Sequence, residues 1–383
     1  MKTAFLYSEK FGSYHYGADH PMKPVRLRLT YDLIEELGFL DLPSSTVVDA
    51  RMARDEELLL FHTPEYIRVL KEANTGIIPV GGSAHGLGFG DNPVFHGVFD
   101  WSSYCTGASL QAAELVARGS ADIAFNISGG LHHAMPNRAS GFCYINDAAV
   151  AIKYLANMGK RVAYIDIDAH HGDGVEFAFY DSDQVLTISL HESGQWLFPG
   201  TGLATDIGIN HGKGYSINLP LPPGIGDELY LNCFNEIVPP FIEAFRPDII
   251  VTQLGVDGFE TDPITHLSLT TNGFENIIKQ FRSFNIPWVA LGGGGYDLSN
   301  VARAWTLAWG IMNGVKMPDV IPPDFILRNG EIFKSPYMRD LPLLPEYPLR
   351  KEDKECLESD IAYLKREVLP LITKEHSRKG VME

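Results

Sequence analysis

Between residues 120 and 315 the chain alternates short runs rich in Val, Ile and Leu with longer segments of helical period. This alternation constrains the fold most, because parallel strands need crossover connections, usually helices, and those helices cover both faces of the sheet. It predicts strands at 123–127, 162–167, 185–190, 249–254 and 288–291, with another at 3–7. Helical stretches lie near 147–158, 228–245, 271–284 and 299–313, and 25–37, 55–73 and 102–118 also read as helices. The stretch 76–93, with Gly81, Gly82, Gly86, Gly88 and Gly90, reads as a long loop. No fixed-period repeat is visible.

In an open parallel sheet, reactive groups gather beyond the carboxyl ends of the strands. Four of the predicted strands deliver polar or glycine-rich clusters there. They are Ser128-Gly-Gly-Leu-His132-His133, Asp168-Ala-His170-His171-Gly-Asp173, Gly255-Val-Asp257-Gly and Gly292-Gly-Gly-Gly-Tyr296. Such convergence is much harder to reach by accident than any single motif.

Asp166, Asp168 and His170 are spaced by two, so an extended chain would project all three from one face. Two carboxylates and an imidazole suit a divalent first-row ion. A further protein ligand from elsewhere, for which Asp257 is the candidate, would leave positions open for water and substrate. An unpaired interior carboxylate is costly, which argues against a merely solvated turn. Adjacent His132 and His133 project in different directions, and each needs an orienting partner. Asp166 and Asp173 are available, since a hydrogen bond at Nδ1 fixes the tautomer and raises the basicity of Nε2. The run Gly292 to Gly295 lets backbone approach a ligand or brings Tyr296 into place. A phosphate cradle is the alternative, but no Lys-Ser or Lys-Thr comes after it. Phe142 and Phe198 are candidates for apolar pocket walls.

Thirty-one Lys and Arg against 48 Asp and Glu leave a net charge of -17. The average field therefore repels phosphate polymers and attracts cations or basic partners, so no direct nucleic-acid partner is expected. Cys105, Cys143, Cys233 and Cys356 form no CxxC pair, which fits a reducing compartment rather than a disulfide framework or thiolate zinc site. No stretch reaches the ~18 to 20 apolar residues of a membrane span, and the first residues lack a leader pattern, so a cytoplasmic protein without a membrane partner is expected. We expect a catalytic unit over 1–317 and, over 318–383, a proline-rich extended tail and then an amphipathic helix. That helix, with Leu357, Ile361, Leu364, Val368 and Leu371 at helical spacing, would pack on its own domain or form an oligomer contact.

Taken together these residues resemble the histone deacetylase family, its class I type enzymes and the bacterial acetoin-utilisation proteins of the AcuC kind. The likeness runs from His20-Pro-Met-Lys-Pro-Val-Arg26 through Leu60-Phe-His-Thr-Pro-Glu-Tyr66, Gly129-Gly-Leu-His-His133, Gly141-Phe-Cys-Tyr-Ile-Asn146 and Asp166-Ile-Asp-Ala-His-His171. It continues through Phe198-Pro-Gly-Thr-Gly202, Gly255-Val-Asp257 and Gly292-Gly-Gly-Gly-Tyr296 to Ala302-Arg-Ala-Trp305. The resemblance implies an α/β arginase-deacetylase fold, one domain around a parallel eight-stranded sheet flanked by helices on both faces. It implies metal ligands at Asp168, His170 and Asp257, binding Zn or Fe(II), and His132–Asp166 and His133–Asp173 pairs. Asp91 would hold the substrate backbone at the rim, and Gly141, Phe142 and Phe198 would line a narrow tunnel. Ile264 stands where many relatives carry Met or Leu in the tunnel wall. Structural K+ or Na+ is implied at Asp166, Asp168, His170, Ser189 and Leu190, and at Phe179, Ser182, Val185 and Tyr215. The implied activity is hydrolysis of acetyl-lysine in proteins or peptides: His133 takes a proton from water, Tyr296 donates to the oxyanion, and His133 or His132 protonates the leaving amine. Small acylated amines such as acetylpolyamines are an alternative substrate class, and a non-catalytic acyl-lysine reader is a third reading.

Overall fold

The computed structural model describes residues 1–88, 90–341 and 349–372. Its centre is one sheet of eight strands: β1 (Thr3–Tyr7), β2 (Ser45–Asp49), β3 (Ile123–Asn126), β4 (Val162–Asp166), β5 (Val185–Glu192), β6 (Ser216–Leu221), β7 (Ile249–Gln253) and β8 (Trp288–Leu291). All neighbours are parallel, in the order β2-β1-β3-β8-β7-β4-β5-β6. Every residue of β3, β4, β5, β7 and β8 is buried, so these strands are covered on both faces, as their uninterrupted apolar runs require. Helix Val98–Ala117 packs on Asp147–Asn157. In a second group, Val25–Glu36 packs on Leu298–Asn313, which packs on Thr271–Ser283, which in turn meets Asp227–Phe245.

Six of the eight strands fall where the sequence predicts them. The other two, β2 and β6, are the edges of the sheet. An edge strand need not be apolar on both faces: β2 is largely exposed, and β6 carries Pro220, tolerated where no second neighbour needs its N–H. The helix predicted over 55–73 is two, Asp55–Leu58 and Pro64–Ala73, because Thr63 caps the second through its hydroxyl and Pro64 opens it. A short helix, Asp173–Phe179, lies where the sequence reading places no element.

The residues after 317 correct the expectation of an extended tail. A helix forms at Pro323–Asn329, Val320 bridges Tyr337, and Met317, Ile321, Phe325, Phe333 and Met338 join Leu29, Leu33, Ala302 and Leu307 in a small second core. Of the prolines read as the tail, Pro342, Pro345 and Pro348 lie outside the described residues. The last helix, Lys351–Tyr363, continues through a π-turn at Leu364–Val368, and Leu357, Leu364, Val368 and Ile372 are buried in the main core. Ile361 and Leu371 are only half-buried. No described helix is long and apolar enough to cross a membrane.

Candidate active site

The four chemistry-bearing loops leave β3, β8, β7 and β4, which are consecutive across the middle of the sheet. Adjacency of the strands therefore puts His132, the glycine run, Asp257 and Asp168 side by side. Close approach is bought with glycine. A β-carbon on Gly294 would lie 2.2 Å from Asp257 Oδ2, and one on Gly255 would lie 2.2 Å from Asp168 Oδ2.

The two histidines are held by separate carboxylates. His132 Nδ1 donates to Asp166 Oδ2 at 2.7 Å, and His133 Nδ1 donates to Asp173 Oδ1 at 2.7 Å. Their Nε2 atoms are 3.0 Å apart. Burial lowers the pKa of His132, but the carboxylates of Asp166 and Asp168 outweigh it and raise the group to about 9. Burial, then the charge on His132, brings His133 down to about 4. The two rings are thus pushed in opposite directions, His132 up by its carboxylates and His133 down. Asp166 also accepts from the Tyr164 hydroxyl at 2.6 Å and from the Asp168 N–H at 3.1 Å.

Asp168, His170 and Asp257 bring one ligand atom each to within 4.8 Å of one another, all buried. This grouping corrects the expectation of a shared strand face. β4 stops at Asp166, so the pleat does not align the three spaced residues; the chain bends after the strand, leaving Asp166 with His132 and swinging Asp168 and His170 toward Asp257. His170 Nδ1 lies 3.1 Å from Asp168 Oδ1 and 2.8 Å from Asp257 Oδ2. The donor set fits a divalent cation. Two carboxylates that are 0 to 1% exposed share one imidazole, an excess of negative charge that a bound cation would balance. Asp168 is further oriented by Gln253 Nε2 at 2.5 Å and the Gly294 N–H at 2.7 Å, and Asp257 by the Ala169 N–H at 2.9 Å.

Tyr296 faces this group across a small cavity of about 20 Å³, lined also by Met22, Gly130, His132, His133, Gly141, Asp168 and His170, with room for about one water molecule. Burial, then the charges of Asp257 and Asp168, hold the phenol far above its usual pKa, so it stays a donor. Phe142 and Phe198 stand at the walls. The Phe142 ring meets Tyr296 edge-on at 5.7 Å, and Phe198 meets His133 at 5.0 Å. Gly141 lets the second contact form, since a β-carbon there would lie 2.5 Å from the His133 ring and 2.8 Å from Phe198.

Asp91 is exposed. Its carbonyl lies 3.2 Å from His20 Nε2, and the His20 ring packs on Phe142 at 4.5 Å, which ties the Asp91 main chain to the wall. Ile264 is half-buried on the loop after Asp257. Ser189 pairs in register with Asp166, with Leu190 next to it, whereas Phe179, Ser182, Val185 and Tyr215 gather at the opposite end of β5.

The histone deacetylase domain model matches residues 20–312. The acetoin utilization protein AcuC of Bacillus subtilis (strain 168) is 42% identical over 334 residues, 85% of this chain and 86% of its own length. The chain belongs to the histone deacetylase family. Another member, Histone deacetylase 2 of Oryza sativa subsp. japonica, is 41% identical over 324 residues, 84% of this chain and 63% of its own length. The crystal structure of an HDAC homolog from Aquifex aeolicus superposes with a TM-score of 0.86 at 36% identity, covering 94% of this chain and all of that one. These histone deacetylase relatives make the chain an amidohydrolase with the arginase-deacetylase fold.

Sequence reasoning missed several groups that shape this histone deacetylase site. Asp147, fully buried, accepts the N–H groups of Gly130 and Leu131 at 3.0 and 2.7 Å and so fixes the turn before His132. Asn146 Nδ2 donates to the His132 carbonyl at 3.0 Å, and Arg26 Nη1 to the Gly295 carbonyl at 2.8 Å. Asn126 and Gln253, polar residues ending apolar strands, carried the signal that could have found such partners.

Proposed function

We propose that the protein is a metal-dependent protein lysine deacetylase, releasing acetate from Nε-acetyl-lysine in proteins or peptides. The observation that carries this reading is that one small cavity is lined by two histidines, each held by its own carboxylate, by Asp168 and His170 of the three-donor metal cluster, and by a phenol. A divalent transition ion, Zn or Fe(II), held by Asp168, His170 and Asp257 would supply Lewis acidity to an amide carbonyl and lower the pKa of water. His133, neutral and oriented by Asp173, takes the proton from the attacking water. The Tyr296 hydroxyl donates to the oxyanion, an interaction worth about 3 kcal/mol in comparable sites. His133, once protonated, or His132, whose charged form is favoured by Asp166, is the acid for the leaving amine.

Phe142 and Phe198 would flank the aliphatic stem of the substrate, Ile264 would stand in the tunnel wall, and Asp91 would accept substrate backbone N–H groups at the rim. A net charge of -17 suits substrates with basic flanks. A structural K+ or Na+ beside β5 belongs to the same reading and would raise thermal stability when titrated in. Turnover of a fluorogenic acetyl-lysine peptide is expected from the metal-loaded enzyme, lost with chelator and lowered about 100- to 1,000-fold in Tyr296→Phe. Absence of peptide turnover with either metal, together with rapid hydrolysis of acetylated diamines, would move the assignment to small acylated amines.

A further inference from the structure

Tyr296 comes directly after a glycine run that is tied through its main chain alone, by the Gly294 N–H to Asp168 Oδ2 at 2.7 Å and by the Val256 N–H to the Gly294 carbonyl at 3.0 Å. Gly293 and Gly295 have φ of +149° and +137°, and the four glycines carry no side chains to restrain the tyrosine. Three further polar ties to side chains hold the segment that carries the tyrosine. Arg26 Nη1 donates to the Gly295 carbonyl at 2.8 Å. Thr261 Oγ1 donates to Asp297 Oδ2 at 3.0 Å and accepts from Asn300 Nδ2 at 2.7 Å. Between them, Asp262 accepts the Tyr296 N–H at Oδ2, 2.8 Å, and the Ile264 N–H at Oδ1, 3.1 Å.

Asp262 is only 7% exposed. Burying a carboxylate is costly unless its oxygens find donors, and here each oxygen meets a main-chain N–H. One belongs to the phenol that serves the oxyanion, the other to the residue set for the tunnel wall. We propose that Asp262 is a positioning residue for the hydrolysis, the carboxylate that sets Tyr296 against the reacting carbonyl and locks it to the loop carrying Ile264. This rests on the deacetylase reading above. The groups that touch substrate remain Tyr296 and Ile264, and Asp262 acts through both.

Asp262→Asn keeps the shape but turns one acceptor into an NH2 group facing an N–H. On an acetyl-lysine peptide it is expected to lower kcat about 100-fold while KM stays within about twofold and the melting temperature hardly moves. In a Tyr296→Phe background the same change should cost less than about threefold, because its effect passes through the missing hydroxyl. Hydrogen exchange of the peptide spanning 292–298 requires no turnover. It should show faster exchange at the Tyr296 amide in Asp262→Asn and Asp262→Ala than in the unaltered chain. Equal losses in both backgrounds, an unchanged kcat, or unchanged exchange at Tyr296 overturns the proposal. An unaltered enzyme that fails to turn over the peptide overturns the deacetylase reading instead, and the exchange measurement still decides the tie.

Discussion

At the carboxyl edge of the sheet, Asp166, Asp168, Asp257, His132 and His133 are almost wholly removed from water, whereas Phe325, Phe333, Met317, Met338 and their neighbours bring only carbon and sulfur side-chain atoms into the small second core. The second core gains about 25 cal/mol for each Å² it hides, and what matters there is volume. The site gains little from its buried charges, which an apolar cluster of equal size could match or exceed in stability. It obtains arrangement instead, each carboxylate held by named donors and cleared by glycine. One region is specified by how much space is filled, the other by which atoms meet.

The strongest test of that contrast is Asp257→Ala. It should remove the bound transition ion, read by metal analysis, and abolish peptide turnover; a variant keeping both would break the distinction. Gly294→Ala adds one methyl where the nearest atoms are Asp257 Oδ2 at 2.2 Å and Asp168 Oδ2 at 2.8 Å. We expect kcat/KM to fall about 100-fold, since small displacements of reacting groups carry costs of that order. In the second core the same logic reverses. Phe325→Ala, which removes a fully buried ring stacked edge-on with Phe333 at 5.1 Å, should cost about 3 kcal/mol in a denaturant titration while the folded fraction keeps its kcat.

The smallest effect is at Glu57, outside both regions. Burial would raise its pKa, but bonds from Arg51 and Arg54 bring it down to about 2. Because the folded pKa lies below the unfolded one, the stabilisation is complete above about pH 4.5 and is lost as pH falls through about 2. With the exposure of Arg54 screening part of it, Glu57→Gln should cost on the order of 2 kcal/mol at pH 7. The cost should vanish near pH 2, as read from urea midpoints at the two pH values.

The same division governs how far the sequence could be read. The strands β3, β4, β7 and β8 are legible because a strand buried on both faces has to be apolar throughout. The edges β2 and β6 escape, since solvent lets Ser45, Thr46 and Pro220 stand where a central strand would exclude them. His132, His133, Asp168, His170, Asp257 and Tyr296 are legible because charges and glycines at the ends of apolar runs need a chemical reason. Asp147 and Asp262 are not, because they are held chiefly by main-chain N–H groups, which carry no side-chain signature. The expected face-sharing of Asp166, Asp168 and His170 does not form, since the strand ends at Asp166, two residues before Asp168 and four before His170.

By itself the sequence determined that a parallel α/β sheet would form and that its carboxyl edge would be reactive, because hydrophobic period and the cost of buried charge are local properties of the chain. Only the tertiary structure decided that β3, β8, β7 and β4 would be neighbours, and with that which carboxylate meets which imidazole. Such pairings join residues far apart, as the Gly294 N–H meets Asp168 across 126 positions. No local propensity specifies contacts of that span; they arise from how the whole set of strands and helices packs around one core.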